Sequence, residues 1–194
     1  MTPDDAPHFP TLHTARLVLT LPSAELAPAL AQYYERNLDH FAPSSPALHK
    51  LALDVAGCTQ RLNSARADFV AGSSVRFVLF EQGRELEPIG DVSLTNIVRG
   101  PFLAAYLGYK LDRAYLRQGY MTEAVKAVVS YAFETLRLHR LMANHMPSNE
   151  ASARVLRRAG FVVEGHAKDY LYLNGAWRDH VLTSLTNPAP IHPD

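Results

Sequence analysis

Two spacings of apolar residues run along this chain, one of two residues and one of three to four, and the switches between them mark its elements. Arg16-Leu17-Val18-Leu19-Thr20-Leu21 is a strand-like run closed by Pro22. Ser23 then offers an N-cap to a helix through about Arg36, with Leu26, Leu30, Tyr33 and Tyr34 on one face. His40 to Pro46 reads as a proline–serine loop. A second helix is predicted from Leu51 to Val70, stopping before Gly72. Three strand-like runs follow, Val75 to Phe80, Pro88 to Val98 and Leu103 to Leu111, separated by Gly83-Arg84 and Arg99-Gly100-Pro101.

From Tyr120 the helical period returns. Met121, Ala124, Val125, Val128, Ala132, Phe133 and Leu136 form an apolar stripe, with Glu123, Lys126, Ser130 and Glu134 opposite. His139 to Met146 is a short strand ended by Pro147, and Asn149 to Ala159 a helix stopped by Gly160. Phe161 to Glu164, Tyr170 to Asn174 and Trp177 to Leu185 read as strands, with a hairpin turn at Asn174-Gly175. This order predicts a mixed α/β fold around one sheet.

Composition narrows the setting. The 194 residues fit one domain, with a core from about 14 to 186, a polar N-terminal tail and a proline-rich C-terminal tail. A formal net charge of zero provides no bulk field to gather nucleic acid or an anionic membrane. Cys58 is the only cysteine, which excludes an intrachain disulfide and suits a reducing compartment. Met1 to Thr14 lacks the basic and apolar regions of a secretion signal, and no apolar run reaches the ~18 residues of a membrane span. The expectation is a cytoplasmic protein without direct nucleic-acid or membrane contact; oligomeric state is not legible.

Candidate chemistry starts at Leu116-Arg117-Gln118-Gly119-Tyr120-Met121-Thr122-Glu123-Ala124, where a polar loop with a glycine turn enters a helix. The first N–H groups of a helix lack intrahelical acceptors and lie at the positive end of its dipole, so a phosphate fits there. The phosphate loop G-x-x-x-x-G-K-[ST] and the dinucleotide fingerprint G-x-G-x-x-G are both absent. On the later helix, Asn149 stands at the cap while Ser152 shares one face with Val155, Leu156 and Ala159. Asn149 can serve as a cap alone, or the pair can present an amide and a hydroxyl to a ligand. No metal site is expected, because His139 and His145 lack ligand spacing and Asp179-His180 stands alone. No G-x-S-x-G elbow supports a serine triad.

Together the loop and the segment Asn149-Glu150-Ala151-Ser152 to Gly160-Phe161 resemble the GNAT acetyltransferases, and more closely their RimJ-type branch, which acetylates protein N-terminal alanines. Tyr106-Leu107-Gly108-Tyr109, His139 to Asn144, Met146 to Asn149, Ala167 to Leu171 and Trp177 to Leu182 carry the likeness, which runs from about Arg16 to Pro188. It implies a GNAT-like mixed, mostly antiparallel sheet with a splayed central strand pair and flanking helices. It also implies acetyl-CoA as donor. Tyr109, Lys110 and Leu111 would pair with the pantetheine arm, Arg117, Gln118, Gly119, Tyr120, Met121 and Thr122 would wrap the pyrophosphate, and Asn149 would hold the arm from the other side. Two positions depart from the family's loop motif, Leu116 for Arg or Gln and Met121 for Gly or Ala, so binding would rest on backbone N–H groups, with Arg113 and Arg117 as sources of side-chain charge.

For catalysis, the likeness places Ser152 near the sulfur, with Tyr109, Tyr170 and Tyr172 as alternative acids. A backbone N–H near Tyr109 would polarise the carbonyl. Asn144 stands where some relatives carry a glutamate base, leaving Asp169 or His145, through water, as candidates. The implied acceptor is the α-amine of an alanine-initiated small-subunit ribosomal protein. An α-amine near pKa ~8 is roughly a tenth neutral at pH 7, a lysine near ~10.4 about 1 in 2,500, so a site without a strong base suits the former. Two alternatives stay open: a small amine as acceptor, or a non-catalytic acyl-CoA-binding module on the ribosome. The loop from His40 to Pro46 would border the acceptor groove.

Overall fold

A computed structural model, which describes residues 8–45, 53–189 and 191, contains eight strands and four helices. The strands are β1 (Thr11–His13), β2 (Leu17–Thr20), β3 (Val75–Glu81), β4 (Gly90–Val98), β5 (Ala104–Leu111), β6 (Arg140–His145), β7 (Val162–Leu173) and β8 (Ala176–Thr186). The helices are α1 (Ala27–Phe41), α2 (Val55–Val70), α3 (Tyr120–Ser130) and α4 (Glu150–Arg158). One sheet joins all strands in the order β1-β2-β3-β4-β5-β6-β8-β7. Every neighbouring pair is antiparallel except β5 and β6. The expected mixed, mostly antiparallel α/β sheet is what the chain forms.

The apolar run of β3 explains how the helices are placed. Phe77 and Leu79 point to one face and join the core beneath α3, while Val78 and Phe80 point to the other and join Tyr33, Tyr34, Cys58 and Leu62 beneath α1 and α2. A strand buried on both faces has no polar side to alternate. The predicted stripe of α3 is buried as expected, with Ala124, Val125 and Val128 fully enclosed. Its helix then widens into one π-turn, Tyr131–Thr135, where the Leu136 N–H reaches back to the Tyr131 carbonyl at 3.0 Å.

Several boundaries differ from expectation. β1 enters the sheet ahead of Arg16, inside what the sequence suggests is a polar tail; three residues paired by backbone alone leave no periodicity to read. Ser23 does not cap a helix with its side chain, because its hydroxyl reaches Glu25 and a 3-10 turn, Ala24–Leu26, intervenes. α1 continues beyond Arg36 to Phe41, whose ring packs 5.5 Å from that of Tyr33, and Ala42–Ser44 extend it as a 3-10 turn. The His40-to-Pro46 loop is thus largely helical where described. α2 starts at Val55, with Asp54 accepting the Gly57 N–H at 2.8 Å. The expected start at Leu51, residue Pro46, and the outer parts of both expected tails lie outside the described residues. The two strands expected at Phe161 to Glu164 and Tyr170 to Asn174 are the ends of one strand, β7, running from Val162 to Leu173, which absorbs register shifts at Val163/Gly165 and Ala167/Leu171.

Candidate active site

The cleft opens where β5 and β6 part. They pair only at Ala104–Arg140, Ala105–Leu141 and Tyr106–Met142. Beyond those residues β5 stays paired to β4, and β6 to β8, so the sheet splits. The Asp112 N–H donates to the Ile89 carbonyl at 2.8 Å, which sets the alternation on the antiparallel pair. Lys110 and Gly108 therefore turn their backbone groups toward β4, while Tyr109 and Leu111 turn theirs to the open edge. Of the three residues expected to meet an extended amide-bearing arm, Tyr109 and Leu111 have free backbone groups there. Lys110 contributes its side chain, which lines the cleft.

At the far end the loop into α3 is tightly folded. Arg117 and Gly119 both take left-handed backbone, at φ 63° and 84°. Glu123 is the first residue whose N–H reaches an intrahelical acceptor, the Gly119 carbonyl at 3.1 Å. The N–H groups of Tyr120, Met121 and Thr122 are left for a ligand. Only part of the expected loop set faces the cleft: Leu116, Arg117, Gly119, Met121 and Thr122 line it. The Gln118 side chain bonds the Ala114 carbonyl at 3.1 Å, and the Tyr120 hydroxyl donates to Glu81 at 2.5 Å. Both side chains are turned aside, so Tyr120 can meet a ligand only through its N–H.

What holds this loop was not foreseen. Glu123 accepts from Thr14 Oγ1 at 2.6 Å and from Arg16 at 2.7 Å, while the Arg16 guanidinium bonds the Gln118 carbonyl at 3.0 Å and lies over the Tyr120 ring at 4.2 Å. The partners are about a hundred positions apart in sequence, so no local pattern announces them. On the other side, Asp112 accepts from Arg36 at 2.6 Å and Ala114 N–H at 2.9 Å, and Arg113 N–H donates to Asn37 at 3.0 Å. The loop is thereby anchored to both β2 and α1.

Asn149 caps α4, accepting the Ser152 N–H at 3.0 Å. Ser152 then directs its hydroxyl to Tyr109, 2.7 Å from the phenol oxygen. The Tyr109 hydroxyl also lies 3.3 Å from the Ser152 carbonyl. Burial pushes the Tyr109 phenol up to about 12, only partly opposed by the Ser152 bond, so it is a neutral donor at physiological pH. The two side chains expected near the thioester are therefore one hydrogen-bonded pair.

The strands divide the cleft wall by face. Tyr109 packs with the α3–α4 core, as does the Leu141-Ala143-His145 side of β6. Cross-strand register carries the opposite face from Val78 through Asp91 and Lys110 to Tyr106, Met142 and Asn144, and on to Leu182 and His180. On that face Asn144 accepts the Thr183 N–H at 3.3 Å and donates to the Tyr170 hydroxyl at 2.9 Å. Burial raises the Tyr170 pKa, with Tyr106 adding to it. His40, Phe41, Ser44 and Ser45, from the end of α1, cover this side. Asp169, expected as a distant base, does not line the cleft; its N–H is held by Asp179 at 2.8 Å. His145 lines it on the α4 face, its Nδ1 bonded to the Met146 carbonyl at 2.9 Å. Tyr170 and Tyr172, expected as alternative acids, lie outside the lining as well.

The cleft holds about 410 Å³ and is lined by Lys110, Arg117, Arg154 and Arg158, with no carboxylate among the described residues. A polyanion on an extended arm fits this donor set: helix N–H groups and cations at one end, an unpaired strand edge and two hydroxyls at the other.

Comparison with known proteins agrees with this geometry. The acetyltransferase (GNAT) domain family matches residues 16–162. The [Ribosomal protein uS5]-alanine N-acetyltransferase of Escherichia coli K12 is 42% identical over 177 residues, 91% of each chain. The crystal structure of ribosomal-protein-S5-alanine acetyltransferase from Vibrio fischeri superposes with a TM-score of 0.86 at 38% identity, covering 92% of this chain and 97% of that one. Mycobacterium smegmatis RimJ in complex with CoA-disulfide gives 0.84 at 27% identity, covering 96% and 90%. This chain belongs to the GNAT acetyltransferases and is an N-acetyltransferase that uses acetyl-CoA as its acetyl donor.

Proposed function

We propose that this enzyme acetylates the N-terminal α-amine of a ribosomal protein that begins with alanine, in the cytoplasm. The observation that carries this reading is the 42% identity to the uS5-alanine enzyme across 91% of both chains. The cleft supports it. A polycationic acceptor such as a polyamine needs carboxylates, and the lining offers cations instead.

Acetyl-CoA supplies a thioester carbonyl and a thiolate leaving group. In this reading the N–H groups of Tyr120, Met121 and Thr122, with Arg117, Gly119 and Gln118 shaping the loop, hold the pyrophosphate. The Tyr109 and Leu111 backbone and Asn149 hold the arm, beside Lys110. Tyr109 and Ser152 donate to the sulfur, where negative charge develops. Asn144, with both ends of its amide engaged, orients Tyr170 instead of moving protons.

The test is incubation with acetyl-CoA and two peptides, one with the alanine start of ribosomal protein uS5 and one N-terminally blocked but carrying lysine. Addition of one acetyl group to the first alone is expected. Preferential acetylation of the lysine peptide, or of spermidine added as a third acceptor, overturns the reading.

A further inference from the structure

The acid pair lies on the α3–α4 face of the split, and the opposite face needs a group to take the proton from the incoming ammonium. Asn144 cannot do so, and burial keeps the Tyr170 phenol protonated. One remaining side chain on that face is a buried imidazole, His180, at 4% exposure and in the cleft wall. Its Nδ1 lies 3.0 Å from the Arg178 carbonyl. A carbonyl oxygen only accepts, so Nδ1 is the donor in that bond, and Nε2 has no hydrogen-bond partner among the described residues. The ring packs 5.3 Å from that of Tyr170, which fixes its plane. Besides Tyr170 from β7, the titratable and charged groups on this side include Arg178 from β8, Tyr106 and Lys110 from β5, Asp91 from β4 and His40 from α1.

We infer that His180 is the general base of the reaction, an inference that rests on an amine being the acceptor. Nε2 takes one proton from the α-ammonium. The neutral amine nitrogen then bonds to the acetyl carbon as the carbon–sulfur bond breaks. The sulfur receives a proton through the Tyr109–Ser152 pair, which is reprotonated by the proton the amide nitrogen sheds. His180 returns its proton to water, so one proton is released per turnover. Base and acid stand on opposite faces of the split sheet, which lets amine and thiolate occupy opposite sides of the carbonyl. His145, on the α4 face, is not part of this step.

The experiment compares wild type and His180→Asn over pH 6 to 9.5 with the alanine-initiated peptide. Asn at position 180 keeps a donor for the Arg178 carbonyl and removes Nε2. A kcat loss of about 100-fold at pH 6.5, shrinking to below about 10-fold at pH 9 where the α-amine is already neutral, is expected. The KM for acetyl-CoA should stay within about threefold. A loss that is constant across pH, or no loss, overturns the assignment, because a packing role would not follow the amine's titration. Wild type alone supplies a second reading that does not depend on the variant folding. The acidic limb of its kcat profile should stay in place for two peptides whose α-amines differ in pKa; a limb that follows the amine overturns the proposal. A wild type silent toward every α-amine overturns the functional reading and the base together, whereas an active wild type matched by His180→Asn overturns only the base.

Discussion

The hydroxyls of Tyr109 on β5 and Ser152 in the first turn of α4 lie 2.7 Å apart, joining elements separated by 43 positions in the chain. Either oxygen can donate, so a proton lost from one is replaced through the other. Tyr109→Phe and Ser152→Ala should each lower kcat by about 100-fold, the range for removing one donor at developing charge. The double variant should be little worse than either, because the pair acts as a unit. Steady-state kinetics with the four proteins measures this; additive losses would separate the two residues.

Gly119 should govern cofactor affinity more than turnover. Its φ of 84° is left-handed, and a Cβ there would stand 3.5 Å from the Arg16 guanidinium. Gly119→Ala costs roughly 1–2 kcal/mol of backbone strain in the loop. If the loop relaxes to avoid it, the KM for acetyl-CoA rises about 5- to 30-fold with kcat nearly kept. Arg16→Ala should act in the same direction, since it frees the Gln118 carbonyl and the Glu123 carboxylate. Calorimetric titration with CoA reads both.

Asp112 ties stability to pH. Burial alone would raise its pKa, but the Ala114 N–H and the Asn37 and Arg36 side chains outweigh that and hold the carboxyl below its usual range. A depressed carboxylate pKa stabilises the fold above the unfolded value near ~3.9, and that stability is lost as pH falls through the folded value. Asp112→Asn should therefore melt below wild type at pH 7, and the gap should narrow below about pH 4. Arg36 is 44% exposed, so solvent screening limits the size of the effect. Thermal melts of both proteins from pH 7 to pH 3 check it.

Discrimination between amines should follow their titration. With otherwise equal access, a lysine near ~10.4 is neutral about 250-fold less often at pH 7 than an α-amine near ~8. The ratio of kcat/KM for the alanine-initiated and blocked lysine peptides should thus exceed about 100 at pH 7 and fall as pH rises. A pH-independent ratio would mean that shape alone selects the amine.

Much of the fold was legible because its signals are short-range. The two-residue alternation of β4, the stripe of α3 and the Asn149 cap each depend on neighbours within a few positions. The cofactor loop was legible for the same reason, as a glycine turn opening a helix. β1 and the end of α1 were not, since β1 exists only by pairing with β2 and Phe41 is helical because Tyr33 receives its ring.

The candidate site divides along the same line. The resemblance carried by the loop and the Asn149 segment implied a GNAT-like sheet with a splayed central strand pair and Ser152 and Tyr109 as reacting-centre candidates, while the glycine turn opening a helix predicted an N–H cradle at Tyr120 to Thr122. Folding added three relationships: the point, after Tyr106, at which the expected central pair β5 and β6 parts, the Tyr109–Ser152 contact, and the placement of His180 opposite that contact. Asp179-His180 was visible as a dipeptide without a partner, and only strand register turns its imidazole into the cleft. Which face a strand residue occupies depends on pairing with strands distant in sequence, and a shift of one residue reverses it. Local spacing carries no record of that choice.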